Sequence, residues 1–307
     1  MYVHELPMIA FTVLAQMSVG AFVVVCAVRL LARVKGGHDR AAIDRLTHPG
    51  VYAALAGLGL GMFASIFHMN DIGNVLNVFR HVGSSWLSRE IVMGVVFGGL
   101  LFLYAASAWF DRGGVLARRI LAVVTALAGL GLVWSMSMIY YTLPVVPAWH
   151  TWRTPAFFLT TTFLLGSLAA ATAFAAPALL RRVRGAAPEG TSTPLLRSAL
   201  TGTSLTAIAF LGVESVLIPL HLTALADGGP AAAASAGVFS GAWFIARLLL
   251  VFAGAGVLAA LLYRHSARRA GCPRRAATLT TAAFTLVLVG ELIGRSQFYE
   301  SMTRIGM

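Results

Sequence analysis

Seven ionisable residues lie within or at the edge of long apolar segments of this sequence. They are three glutamates, two histidines and two arginines: Glu90, Glu214, Glu291, His68, His221, Arg247 and Arg295. An ionisable side chain is costly in a membrane-embedded segment, so such a residue by default indicates a functional site. These residue types can exchange protons, hydrogen-bond a polar ligand, or neutralise one another.

His68 and Glu90 form the pair best suited to chemistry. The stretch FASIFHMNDIGNVLNVFRHVGSSWLSREIVM covers residues 63–93, with His68 at the end of one apolar run and Glu90 at the start of the next. Two consecutive helices would hold both side chains at the same membrane edge. Histidine titrates near neutral pH, and a desolvated glutamate can exchange protons in the same range. Such a pair suits quinol oxidation, which releases two protons from an amphipathic substrate.

The other ionisable residues also allow structural interpretations. Glu291 and Arg295 are four residues apart, so they can pair on one helical face. Arg247 needs a counter-charge, and Glu214 lies at a similar depth in the preceding segment, so we expect an ion pair between these helices. His221 fits an interfacial residue.

The composition shows which elements must position these residues. Of the 307 residues, 58% are hydrophobic and 11% are charged, compared with about 25% charged in soluble domains. Eight apolar segments, each of about 20 residues or more, can cross a hydrocarbon core of about 30 Å as helices. We predict an all-α integral membrane protein, a single eight-helix domain over residues 1–307. The predicted spans are 7–33, 48–68, 90–110, 116–141, 155–180, 197–222, 239–263 and 275–295.

The basic residues predict the orientation of these spans. A net charge of +12 would indicate nucleic acid in a soluble protein, but here most of the Lys and Arg residues lie in the odd-numbered connections. The positive-inside rule places those connections in the cytoplasm and both termini on the outer, periplasmic side. The first segment is too long for the apolar core of a signal peptide, so we expect it to be retained. The seven ionisable residues then lie toward the outer half of the membrane.

The cysteines limit the redox chemistry that this protein can carry. Cys26 lies in the first apolar segment and Cys272 in a basic connection, and this spacing fits neither zinc nor an iron–sulfur cluster. We therefore expect any iron–sulfur cluster to belong to another polypeptide.

Three alternatives to a quinol site stay open on the residues alone. The ionisable residues can be structural, satisfied at the membrane interface. His68 and His221 can be axial ligands of a single b-type haem, as in a cytochrome anchor of a dehydrogenase complex. A transporter is the third alternative, although inverted repeats and paired broken helices, its usual signs, are not apparent in the sequence.

Five blocks of sequence also carry a resemblance to a known family. They are HELPMIAFTVLAQ from residue 4, SIFHMNDIGNVLNVFRHVGSSWLSREI from residue 65, the segment 133–140, VPAWHTWRTPAFFLT from residue 146 and GELIGRSQFYESMTRIGM from residue 290. In these blocks the sequence resembles the DmsC-type membrane anchor subunit of bacterial dimethyl sulfoxide reductases. The similarity is weakest between about residues 181 and 240.

The resemblance implies a haem-free anchor with eight helices that uses quinol, especially menaquinol, as electron donor. It implies two partners, a ferredoxin-like iron–sulfur subunit and a molybdopterin catalytic subunit. A histidine and a glutamate near the second and third helices are linked to quinol binding in the family, and they correspond to His68 and Glu90. Similar surroundings extend the site to further residues. These are Arg295, Glu291, Arg247 and Tyr140.

One departure from the family concerns the fourth helix. Ser137 and Met138 stand where relatives suggest a basic residue, which leaves the part of this helix in the site open.

Together these observations predict an anaerobic electron-transport subunit of the bacterial inner membrane, with no nucleic-acid partner. Quinol would hydrogen-bond His68, one proton would leave by way of Glu90, and the electrons would pass to the iron–sulfur partner. We expect the partner subunits to cover the outer connections, roughly 69–89, 142–154 and 223–238. Tryptophans and prolines there suit a covered surface. They are Trp86, Pro144, Pro147, Trp149 and Trp152.

Overall fold

The structure is a computed structural model that describes residues 5–37, 39–67, 80–183, 193–267 and 272–305. Within these ranges the protein forms helices and turns and no strand. Eight helices among the described residues are long and apolar enough to cross a membrane. The prediction of an all-α protein with eight spans is therefore confirmed.

Ten α-helices follow one another along the described residues. They are α1 (Leu6–Lys35), α2 (Arg40–Ile66), α3 (Trp86–Trp109), α4 (Val115–Tyr141), α5 (Arg153–Val183), α6 (Pro194–Ala226), α7 (Pro230–Ala236), α8 (Ala242–Val251), α9 (Ala259–Ala267) and α10 (Pro273–Glu300). A π-helical segment, Phe252–Leu258, joins α8 to α9. These three elements together form the seventh span, Ala242–Ala267.

Several predicted boundaries differ from the observed helix ends. α2 begins at Arg40 instead of residue 48, and α10 continues to Glu300 instead of ending at residue 295. Hydropathy marks the part of a helix that suits hydrocarbon, whereas backbone hydrogen bonds continue through polar turns beyond it. The short α7 and the 3₁₀ turn Gly237–Ser240 between the sixth and seventh spans were not predicted.

Polar caps fix the starts of two spans. The Ser85 hydroxyl accepts a hydrogen bond from the Ser88 N–H (3.3 Å) at the start of α3. Thr193 does the same for the Leu196 N–H (3.2 Å), and Pro194 follows it at the first turn of α6. Each cap satisfies an N–H that has no partner within the helix. The cap at Ser85 also fixes where α3 begins, and Glu90 lies in the helical turns that follow.

α1 and α5 occupy the centre of the bundle. In their most apolar windows 72% and 78% of the residues are buried, more than in any other span of the described residues. The two helices touch at glycines, since a Cβ added to Gly20 would lie 1.8 Å from the Thr162 carbonyl oxygen. Small residues allow such close backbone approach in membrane bundles.

The remaining spans surround this centre in two groups. α2 and α4 pack against α1, with α3 between them, and α6 and α10 pack against α5, with the seventh span beside both. The outer surface carries large apolar side chains such as Phe102, Leu127 and Leu249, each about 60% exposed or more. An apolar outer surface suits contact with lipid tails.

The two ends of the bundle differ in their charged residues. The Tyr299 hydroxyl lies 3.4 Å from the Thr12 hydroxyl, so the start of α1 and the end of α10 meet at the same end. We call it the carboxylate end, because Glu90, Glu214 and Glu291 lie in this half of the bundle. The opposite, arginine end contains the end of α1 and the starts of α2 and α4, with Arg29, Arg33, Arg118 and Arg119.

Candidate site at the carboxylate end

Glu90 lies in the first turns of α3 with its side chain directed into the protein. The residue is 8% exposed. Its carboxyl group is close enough to Tyr140 and Tyr299 to interact with both hydroxyls electrostatically. No hydrogen bond or ion pair to another of the described residues compensates its charge.

The neighbouring Arg89 does not neutralise Glu90. Its Nε donates to the Val82 carbonyl (2.8 Å) and an Nη donates to the Gly83 carbonyl (2.7 Å). The guanidinium carbon also lies 4.1 Å from the centre of the Trp86 ring. Arg89 therefore holds the connection before α3 in place and leaves the carboxyl group of Glu90 without a basic partner there.

Tyr140 lies at the centre of an aromatic cluster. Its hydroxyl is 3.0 Å from the Tyr299 hydroxyl, and its ring packs against Trp149, Phe158 and Phe298. Ring centroids 5.0–5.8 Å apart fall in the usual range for aromatic pairs. The cluster joins the end of α4 to α5 and α10. It fixes the positions of the Tyr140 and Tyr299 hydroxyls in the same half of the bundle as Glu90.

Arg295 is buried against the first half of α1. One Nη donates to the Gln16 amide oxygen (2.8 Å), and the guanidinium carbon lies 4.0 Å from the centre of the Phe158 ring. Such a placement combines a hydrogen bond with a cation–π contact. The possible pair between Arg295 and Glu291 does not form, because Arg295 turns to α1 and Glu291 turns to α5.

Arg247 stands between two carboxylates. Its Nη lies 2.5 Å from Glu214 Oε1 and 4.0 Å from Glu291 Oε1. Glu291 Oε2 accepts a hydrogen bond from the Thr161 hydroxyl of α5 (2.6 Å). The predicted ion pair between Arg247 and Glu214 is therefore confirmed, and it extends to a third helix through Glu291.

A glycine makes room for this arginine. A Cβ added to Gly294 would lie 2.4 Å from Arg247 Nε, closer than two such atoms can approach. The seventh span also changes to π-helical geometry at Phe252–Leu258, shortly after Arg247. Single π segments within α-helices are frequent near functional sites.

A small cavity of about 50 Å³ lies next to these charges. Its polar lining includes His221, Thr154, Arg247, Glu291 and Arg295. His221 Nδ1, Arg247 Nε and Glu291 Oε1 have no hydrogen-bond partner among the described residues. A polar space of this size suits water molecules that satisfy such atoms.

The cavity does not suit the haem alternative at His221. The imidazole packs between the rings of Phe157 and Phe239, with ring centroids 5.6 and 6.0 Å away. The adjoining space of about 50 Å³ is far smaller than a haem. No group of three or more His, Cys, Asp and Glu residues in the described ranges could hold a metal ion.

His68 lies outside the described residues, and its pairing with Glu90 stays a prediction. The helix before it is described through Ile66, with Phe67 as its cap. Gly61 faces Phe11 and Leu14 of α1, so α2 ends at the carboxylate end. α2 also packs against α3. The positions of these two helices are thus compatible with the predicted pair.

Four uncharged polar residues of this cluster were not predicted as site residues. Thr12, Gln16 and Thr161 make their contacts from α1 and α5, and Tyr299 does so from α10. Gln16 carried a usable signal, since a lone amide in a long apolar segment is expected to hydrogen-bond another helix. A threonine gave no such signal, because its hydroxyl can bond its own helix.

The fold and the buried polar residues define a multi-pass integral membrane protein with an acid–base cluster in one half. The chain belongs to the family of DMSO reductase anchor subunits (DmsC), whose profile matches residues 1–300. The predicted membership of this family is therefore confirmed. The protein is the membrane anchor subunit of an oxidoreductase complex of anaerobic respiration, and the terminal substrate is converted on other subunits.

Individual relatives match different shares of this sequence. The sequence is 31% identical to the C component of the anaerobic dimethyl sulfoxide reductase of Escherichia coli (strain K12), covering 99% of this protein and 97% of the relative. It is equally identical, with the same coverage, to the YnfH component of an anaerobic dimethyl sulfoxide reductase from that organism. It is also 29% identical to the C component of the sulfite dehydrogenase of Allochromatium vinosum, over 39% of this protein and 40% of the relative.

Proposed function

We propose that this anchor oxidises quinol, menaquinol in particular, at the carboxylate end of the bundle. The electrons pass to a ferredoxin-like iron–sulfur subunit and from there to a molybdopterin catalytic subunit that reduces dimethyl sulfoxide or a related acceptor. The observation that carries the proposal is the position of Glu90, a buried carboxyl group without a basic partner among the described residues.

Glu90 is the proposed acceptor of a quinol proton. A buried charge without compensation is costly, so a carboxyl group is retained in such a place when it serves a function. Glu214 and Glu291 differ from it, because Arg247 lies beside both. In the proposed step the quinol hydrogen-bonds His68, and one of its hydroxyl protons passes to the ionised form of Glu90. Two electrons leave singly to the partner, and two protons leave to the outside.

Tyr140 and Tyr299 link Glu90 to the buried charges behind it. Their hydroxyls interact electrostatically with Glu90 on one side and with Arg295 on the other. Arg295 is proposed to orient the two tyrosine hydroxyls, because its positive charge interacts electrostatically with both.

Glu291 and Arg247 are proposed as positioning residues. The cavity beside them holds about 50 Å³, which is room for water and not for a quinol ring. Their contacts with Thr161 and Glu214 fix α10 against α5, α6 and α8. This packing in turn sets the place of Arg295 and Tyr299 on α10.

The partner subunits are proposed to dock on the carboxylate end, next to the quinol. This end exposes apolar side chains in its connections and at the end of the described residues: Val145, Trp152, Met302 and Ile305 are 45–63% exposed. The Ile305 N–H donates to the Val145 carbonyl (3.0 Å), which ties the two segments into one surface. Trp149 is not part of it, since it is buried and donates to the Phe298 carbonyl. The basic arginine end then faces the cytoplasm.

The substitution Glu90→Gln in the intact complex tests the proposal. The amide keeps the size of the side chain but cannot accept the quinol proton. We expect quinol-dependent reduction of the terminal acceptor to fall by about 100-fold, the lower range for a lost acid–base group. Reduction driven by a small dye that donates electrons directly to the partner subunits should stay unchanged.

Asp39→Asn is the matched control, because Asp39 is an exposed acid before α2 at the arginine end, away from the proposed quinol site and docking surface. It should leave both activities unchanged. If Glu90→Gln lowers the quinol and dye activities equally, Glu90 serves assembly instead of chemistry. If it changes neither activity, the proposed role of Glu90 is wrong.

A further inference from the structure

A second and larger cavity lies at the arginine end, away from the proposed quinol site. It holds about 650 Å³ between α1 and α4, with Tyr104 of α3 at its back. This volume falls within the range of about 300–1,000 Å³ for pockets that bind organic ligands. Nothing in the proposed quinol chemistry uses this groove.

Two of the four arginines that line the groove are already neutralised. Arg29 forms an ion pair with Asp44 and donates to the Thr47 hydroxyl (2.7 Å). Arg118 pairs with Asp111, with an Nη–Oδ1 distance of 2.8 Å. The carboxylates of Asp44 and Asp111 near the groove are therefore already engaged in ion pairs.

Arg33 and Arg119 supply positive charge that is not balanced. They line the groove from α1 and α4 and are close enough to repel each other electrostatically. Neither forms an ion pair with a carboxylate of the described residues. Arg40 and His48 also lie beside Asp44, so this carboxylate is already shared by basic residues other than Arg33 and Arg119. Two like charges that face one space favour an anionic ligand.

The rest of the groove is apolar and open to the side of the bundle. Leu30, Val34, Val123 and Leu127 line it and are 59–75% exposed. The lining on α1 extends from Val23 to Val34, about 16 Å along the helix axis. That length is close to half of a hydrocarbon core of about 30 Å, the depth of one leaflet.

We propose that this groove binds one anionic phospholipid. The phosphate lies between Arg33 and Arg119, and an acyl tail follows the apolar surface of α1 and α4 toward the membrane centre. Basic pockets between transmembrane helices on the cytoplasmic side bind anionic lipid headgroups in this manner. A free phosphate would satisfy the arginines but would leave the apolar lining without a role.

The double substitution Arg33→Gln and Arg119→Gln tests the proposal in the intact complex. The probe is phosphatidylglycerol, added to the delipidated complex in detergent and counted by native mass spectrometry. Each basic residue near an anionic lipid contributes about a fivefold gain in affinity, so we expect a loss of about 25-fold for the pair. The two arginines carry no ion pair among the described residues, so the variant should fold.

The double substitution Arg45→Gln and Arg112→Gln is the matched control. Both residues are exposed at the same end and lie outside the groove, and the control removes the same charge. It should retain phosphatidylglycerol within about twofold of the unchanged complex, because screened charges outside the site contribute little. Equal losses in both double variants would show attraction to the surface in general and would overturn the proposal.

A bulky side chain in the apolar part of the groove distinguishes a phospholipid ligand from a free phosphate ligand. Ala27 is an exposed residue of α1 that lines the groove, and Ala27→Trp should displace the acyl tail and abolish retention. Inorganic phosphate should not compete with the lipid. If phosphate competes while Ala27→Trp still binds, the site takes phosphate alone and the proposal is wrong. It is also wrong if the unchanged complex binds phosphatidylethanolamine as tightly as phosphatidylglycerol.

Discussion

The arginines at the two ends of the bundle have opposite surroundings. At the carboxylate end Arg247 and Arg295 are buried, with 8% and 6% exposure, and each has a polar partner from another helix. At the arginine end Arg33 and Arg119 face an open groove of about 650 Å³ without a carboxylate partner in the described ranges. The first arrangement holds helices together, and the second leaves charge available to a ligand.

The comparison also shows why cavity size is a poor guide to the chemistry of this protein. The larger space, at the arginine end, offers positive charge and an apolar lining but, among the described residues, no uncompensated carboxyl group that could accept a proton. The smaller space is lined by His221, Glu291, Arg247 and Arg295, so acidic and basic side chains meet there. Burial and charge balance therefore distinguish the two ends better than volume does.

The largest effect is expected for Arg247→Leu. The substitution leaves Glu214 and Glu291 buried side by side without their shared cation. Removal of one partner of a buried pair costs about 3–5 kcal/mol. We predict a strong loss of folded anchor, measured by thermal unfolding of the purified complex. Arg119→Leu at the other end should be nearly neutral for stability.

A rescue variant separates charge from packing in this result. Glu214→Gln combined with Arg247→Leu removes one of the two unpaired acids, so it should recover part of the lost stability. If Arg247→Leu is as stable as Arg119→Leu, the buried cluster does not hold the helices together and the contrast between the two ends disappears.

A smaller effect is expected for Gly294→Ala. The added Cβ would meet Arg247 Nε at 2.4 Å, and forcing extra volume into a packed site costs about 1–3 kcal/mol. Gly99→Ala is the matched control, because no atom lies within 4 Å of a Cβ added there. The control should be neutral or slightly stabilising, since alanine is favoured over glycine in helices. Thermal unfolding of both variants measures the difference, and equal melting temperatures would contradict the close contact.

The smallest effect concerns the ion pair between the exposed Asp111 and the buried Arg118 at the arginine end. The hydrogen bond and charge of Arg118 lower the pKa of Asp111 from its ordinary value of 3.8. Because that pKa is lowered, the stabilisation is present above the ordinary value and is lost as the pH falls through the lowered one. Asp111→Asn should therefore lower the melting temperature slightly near neutral pH and have no effect at strongly acidic pH. A difference that grows on acidification would contradict the ion pair.

Much of the fold could be predicted because lipid imposes one simple requirement. A segment that crosses the membrane must be apolar and must form all its backbone hydrogen bonds within itself, as a helix does. Hydropathy therefore located all eight spans. The pair Arg247 and Glu214 was predictable for a related reason, since a buried arginine needs a counter-charge at similar depth. The start of α2 and the end of α10 were less predictable, because polar turns extend helices beyond the hydrocarbon.

The contacts of individual side chains depended on rotations that the sequence does not specify. Spacing allowed Arg295 to pair with Glu291, but the packing of α10 directs Arg295 to Gln16 of α1 instead. Trp149 suited an exposed docking surface by composition, but its indole is buried against the ring of Phe298. The lipid-sized groove arises from two helices distant in sequence, so no local pattern indicated it.

The most direct test of the central proposal is photoaffinity labelling with an azido-quinone in the intact complex. The labelled peptides are identified by mass spectrometry after digestion. We predict label in the peptides that contain Glu90 and Tyr140, and weaker label there in the Glu90→Gln variant. Label confined to the groove peptides 23–34 and 118–127 would place the quinone at the arginine end and would contradict the account.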